Sequence, residues 1–135
     1  MTSRGHLVAR LGAVALVLLA SACSGSGSTG APTRASGPQV SLKLLQFTPG
    51  HLTVKAGTTV TWVDDEPITH TVTSGAVTGI DPTSGLRSGQ TPDGHFDHRL
   101  AGKGSSFSYR FAEPGTYSYF CSIHQGMNAS VVVTA

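Results

Sequence analysis

From residue 40 onward, short runs of alternating apolar and polar side chains are broken by turns rich in Gly and Pro. In 51–55, Leu52 and Val54 share a face; in 58–63, Val60 and Trp62 do; in 106–111, Phe107, Tyr109 and Phe111 do. A repeat of two is that of a half-buried strand, whose successive side chains point to opposite faces. β-branched and aromatic content predicts further strands over 41–47, 69–74, 96–100, 116–121 and 129–134. Pro49-Gly50, Ala56-Gly57 and Pro114-Gly115 supply turns between them. No stretch of a dozen residues carries a helical period. Seven to eight short strands over the C-terminal two thirds of the chain predict an all-β sandwich. Trp62, Phe107, Tyr109, Phe111, Tyr117 and Tyr119 fall at strand spacing and are expected in its core. The Gly/Pro/Asp-rich run 74–94 reads as a loop, long for a compact domain, with room for a short helix or an excursion.

The first 39 residues follow another pattern. Arg4 and Arg10 precede or flank an apolar run, Leu11-Gly-Ala-Val-Ala-Leu-Val-Leu-Leu-Ala20, that is short for a bilayer span. Small residues follow, so 1–22 reads as a secretory signal. Leu19-Ala-Ser-Ala-Cys23 resembles a bacterial lipobox, which implies cleavage before Cys23, lipid on its sulfur, and attachment to the membrane. Residues 23–39 are a Gly/Ser-rich tether with almost nothing to bury. The folded domain is expected over 40–135.

Composition narrows the function classes. Hydrophobic residues make up 39% and charged ones 12% of 135, with 17 Gly and 7 Pro, which argues against a coiled coil or helix bundle. Lys and Arg number 9 against 7 Asp and Glu. Loss of 1–22 removes Arg4 and Arg10 and leaves the charges balanced. No basic run exists to hold a nucleic acid. The acidic triplet Asp64-Asp65-Glu66 reads as a solvated loop. His51 follows a turn and is expected at the surface; His95 and His98 bracket Phe96 on a strand edge and share no nearby ligand run.

One constellation carries chemistry. Tyr119-Phe-Cys121-Ser-Ile-His124-Gln-Gly-Met127 sets a thiol, an imidazole and a thioether at offsets of 0, 3 and 6, between two strands. A tight loop with that spacing aims three side chains at one point. Two His and one Cys with a weak axial Met are the ligand set of a mononuclear electron-transfer copper site. The second His must come from elsewhere, and His70, just beyond the Trp62 strand, is the candidate.

At these residues the chain resembles the cupredoxins, in particular the plastocyanin/amicyanin branch. The Cys-x-x-His-x-x-Met spacing is similar to the short amicyanin loop. Phe47-Thr-Pro-Gly-His-Leu-Thr-Val-Lys-Ala-Gly-Thr-Thr-Val-Thr-Trp-Val63 and Pro114-Gly-Thr-Tyr-Ser-Tyr-Phe-Cys121 resemble flanking strands of that family. The resemblance implies a Greek-key β-sandwich with one type 1 copper ion, His70, Cys121 and His124 as equatorial ligands and Met127 as the axial one. It implies a one-electron carrier, not an enzyme, that meets redox partner proteins as a monomer through an apolar patch around His124. Three positions depart from the family pattern: Asp64 and Thr71 stand where Asn is common, and Ile123 where Pro often is. They leave the ligand set intact and bear on the hydrogen bonds around it.

A copper module for storage, delivery or sensing, and a metal-free adhesive sandwich, are the competing readings. A Cys23–Cys121 disulfide would consume the thiolate and tie the domain to the tether. A dinuclear copper centre needs a second loop cysteine, and zinc gains nothing from a thioether.

Overall fold

The computed structural model describes residues 37–135; the signal at 1–22, Cys23 and all but the last residues of the tether lie outside them. Nine strands form two packed sheets, with no helix among the described residues. They are β1 (Gln39–Lys43), β2 (Gln46–Thr48), β3 (His51–Lys55), β4 (Thr58–Asp64), β5 (His70–Thr78), β6 (Gly89–Leu100), β7 (Ser106–Phe111), β8 (Gly115–Phe120) and β9 (Asn128–Thr134). One sheet has the order β2-β1-β4-β7, the other β3-β9-β8-β5-β6. The β1/β4 and β3/β9 pairs are parallel. Strands distant in sequence are neighbours in each sheet, as a Greek-key sandwich requires.

The expected alternation holds. Val60 and Trp62 are buried on β4; Phe111 is buried and Phe107 and Tyr109 are half-buried on β7. Trp62 lies at the centre of an aromatic cluster, 5.4 Å between ring centroids from Tyr119, 5.6 Å from Phe96 and 5.7 Å from Phe107. Each such side chain contributes about 1.5–3 kcal/mol by leaving water. Burial also pushes the Tyr119 phenol up to about 12.

Three expectations need correction. The single strand over 41–47 is two strands, β1 and β2, joined by a turn at Leu44 and Leu45, both left-handed at φ 55. That division brings the count to nine. The run 74–94 is largely strand: β5 and β6 continue as a long hairpin, and only 79–88 is a loop. Asp64 is not solvated. It ends β4 fully buried, with one carboxylate oxygen accepting the Glu66 N–H at 2.9 Å.

Candidate metal centre

The centre lies where β5 begins and β8 ends. His70 opens β5, and Cys121 follows β8 directly. β5 and β8 are neighbours, with Thr73 opposite Phe120, so the two residues meet although 51 positions separate them. The loop 121–127 is closed by its own backbone. The Cys121 N–H donates to the Met127 carbonyl at 3.1 Å, and the Met127 N–H donates to the His124 carbonyl at 3.1 Å. That closure brings the two ends of the loop, Cys121 and Met127, together.

Cys121 Sγ lies 3.5 Å from His124 Nδ1 and 4.0 Å from His70 Nδ1. One ligand atom from each of the three residues lies within 4.8 Å of the others. Two ligand atoms bonded to one ion at about 2.0–2.3 Å are separated by roughly this distance. Cys121 and His70 are fully buried and His124 is half-buried. Met127 is fully buried at the end of the same loop. Thiolate, imidazole and thioether are donors suited to copper, so the residues fit the metal.

Neighbours hold the donors in place. Glu66 Oε2 lies 3.1 Å from His70 Nε2, which leaves Nδ1 for the metal side. The Thr71 N–H donates to Cys121 Sγ at 3.3 Å. Thr71 Oγ1 accepts the Ser122 N–H at 2.7 Å and donates to Ser122 Oγ at 3.0 Å. Thr71 thus ties the two ligand segments together. Burial holds His124 below the ordinary histidine value; the charge of His70 acts in the same sense and that of Glu66 opposes it. Neutral imidazole is the form that binds a metal.

The other histidines stand apart. His51 Nδ1 is 2.9 Å from Ser130 Oγ, His95 packs edge-on against Tyr117, and His98 stacks on Phe107. None of them joins the cluster. Two contributors escaped the sequence pattern. Glu66 lies in a loop, where spacing to His70 carries no geometric meaning. Arg87 is 2% exposed and reaches the backbone of the ligand loop; its one signal is that no other Lys or Arg occurs between Lys55 and Arg99. Beside the centre, His124 lines an open depression of about 710 Å³ rimmed by Leu44, Leu86 and Ile123, all exposed.

The chain is similar to known copper-binding proteins. The family model of copper binding proteins, plastocyanin/azurin family, matches residues 37–134. Plastocyanin of Scenedesmus fuscus is 35% identical over 92 residues, 67% of this chain and 86% of that protein. Amicyanin-alpha of Methylorubrum extorquens is 31% identical over 102 residues, 73% of each chain. Among solved structures, a purple cupredoxin from Nitrosopumilus maritimus superposes with a TM-score of 0.56 at 26% identity, covering 72% of this chain and 99% of that one.

Proposed function

This chain belongs to the plastocyanin/azurin family of copper-binding proteins, and on that footing we propose that it is an extracytoplasmic one-electron carrier. In this reading His70, Cys121, His124 and Met127 hold one copper ion. The observation that carries it is the convergence of His70, Cys121 and His124 at the junction of β5 and the β8–β9 loop.

Bound copper supplies the Cu(I)/Cu(II) couple. Cys121 serves as thiolate, steadied by the Thr71 N–H. His70 is oriented by Glu66, and Met127 is held by the backbone closure of its loop. Because the ligands stem from a packed sandwich and a closed loop, they hold one geometry for both oxidation states, and little reorganises on transfer. His124 is the half-buried ligand. Its edge, within the rim of Leu44, Leu86 and Ile123, is the port through which a redox partner takes or gives an electron. A balanced mature charge suits docking through that apolar rim, with weak salt dependence. The protein acts as a monomer and not as an enzyme. Cys23 carries a lipid that anchors the domain by its Gly/Ser tether outside the cytoplasmic membrane; mass spectrometry of the mature N-terminus from the native host should find a diacylglycerol adduct on Cys23, and an unmodified terminus contradicts it.

The test is repeated reduction and reoxidation in the presence of a strong Cu(I) chelator, with electron self-exchange measured alongside. A carrier keeps its copper and exchanges electrons fast. Ready loss of copper on reduction, with slow exchange, instead identifies a storage or delivery protein.

A further inference from the structure

The loop 79–88 between β5 and β6 is tied to itself. Asp81 Oδ1 accepts the Thr83 and Ser84 N–H groups at 3.0 and 2.7 Å, and the Asp81 carbonyl accepts the Gly85 N–H at 2.9 Å. This loop delivers Arg87 inward, against the outer side of the ligand loop. The guanidinium meets backbone oxygens rather than a carboxylate. Nη1 lies within hydrogen-bond distance of the carbonyls of Gln125 (2.9 Å), His124 (3.2 Å) and Met127 (3.4 Å), and of Asn128 Oδ1 (2.9 Å). Nη2 donates to the Cys121 carbonyl, and Nε and Nη2 both donate to Gln90 Oε1. The Arg87 N–H adds a bond to the Gln125 carbonyl at 3.3 Å. Its Cζ stands 5.0 Å from the centroid of the Phe120 ring.

We propose that Arg87 is a positioning residue for the copper centre, with two separable effects: its planar fork clamps the ligand loop in the binding geometry before metal arrives, and its charge favours the reduced state.

The clamp follows from the partners. One rigid group donates to the Cys121 carbonyl, and the two Nη1 hydrogens are shared among the Gln125, His124 and Met127 carbonyls and Asn128 Oδ1, so it reaches three of the four residues that bear ligands. A fork of five N–H donors is what arginine offers and lysine does not. The charge effect follows from burial and pairing. Among the described residues the one ion pair is His70–Glu66, so no carboxylate neutralises Arg87. The charge of Cys121 counteracts the lowering that burial imposes on the guanidinium. A centre with a single thiolate holds one more positive charge when oxidised than when reduced. A fixed cation on its border therefore disfavours the oxidised form. Glu66, bonded to His70, acts in the opposite sense.

The charge arm rests on the electron-carrier reading; the clamp arm does not. Two variants of the full-length protein separate them. Arg87→Lys keeps the charge and loses the fork. In the metal-free protein the Met127 and Cys121 amides should then exchange with solvent at least tenfold faster, while the potential of the copper-loaded protein stays near the parent's. Gln90→Glu keeps the acceptor and adds a carboxylate against the guanidinium. Its amide exchange should match the parent's, and its potential should fall. Unchanged amide exchange in Arg87→Lys overturns the clamp, whatever copper does. An unchanged potential in Gln90→Glu, or a fall in Arg87→Lys as large, overturns the charge effect. A parent protein that takes no copper refutes the carrier reading, and the clamp is still judged by the exchange data.

Discussion

Replacing Thr71 with Val tests whether the hydroxyl of this residue joins β5 to the ligand loop. The swap keeps the shape of a 9% exposed side chain and removes one oxygen. That oxygen accepts the Ser122 N–H at 2.7 Å and donates to Ser122 Oγ at 3.0 Å. Its contact with Thr73 Oγ1 at 3.0 Å is also lost, but Thr73 keeps its own bond to Asp97 at 2.8 Å. Ser122 is exposed, so water replaces part of what it loses and the full cost of a buried orphan does not apply. Two net hydrogen bonds at about 1 kcal/mol each give a destabilisation of about 2 kcal/mol. For a domain of this size that lowers Tm by roughly 8–16 °C. The assay is thermal and urea unfolding of the metal-free protein, with Thr71→Ser as control because it retains the hydroxyl. A Thr71→Val protein within about 0.5 kcal/mol of the parent, or a Thr71→Ser protein as unstable as the Val variant, refutes the reasoning.

Two further outcomes follow from the same structure. In the metal-free protein His124 titrates below its ordinary value of 6.5, by burial first and the His70 charge second. The unfolded chain therefore binds more protons than the native one as pH falls through the histidine range, and stability drops as the pH goes below about 6.5; His124→Gln should flatten that slope in urea midpoints measured between pH 7.5 and 5, and an equal slope contradicts it. Leu44 and Leu45 both sit at φ 55, a conformation costing an ordinary residue roughly 1–2 kcal/mol. Leu45→Gly should raise stability by about 0.5–1 kcal/mol after the greater freedom of glycine in the unfolded chain is set against the relief, and a lower unfolding midpoint contradicts this.

The centre was legible in the sequence where its parts are local. Cys121, His124 and Met127 fall within one short loop, and only a closed loop makes their spacing meaningful. His70 was legible as a candidate because it follows a strand that the period of two had already marked. The long β5–β6 hairpin was not, because its composition is that of a loop. Gly75, at φ 147, sits where an added Cβ would be 2.2 Å from the Thr91 carbonyl oxygen, so close strand approach at a bulge demands glycine there. Pro92 stands opposite Gly75 on β6, an edge strand, where a missing N–H is tolerated. The β1–β2 turn was hidden for the opposite reason: Leu44 and Leu45 look like strand and sit in the left-handed region. Asp64 shows how far charge misleads as a guide to exposure: it ends a buried strand with a single bond to its carboxylate, from the Glu66 N–H. Arg87 left only a faint signal because most of its partners are backbone carbonyls, which every residue carries.

The central claim is one copper ion held by the Cys121 thiolate. Copper titration of the purified domain under oxidising conditions, followed by visible absorption, tests it most directly. An intense band that saturates at one copper per chain, and that is absent in Cys121→Ser, is the predicted result. A copper-loaded protein that stays colourless under oxidant, or a Cys121→Ser variant with the same band, contradicts it.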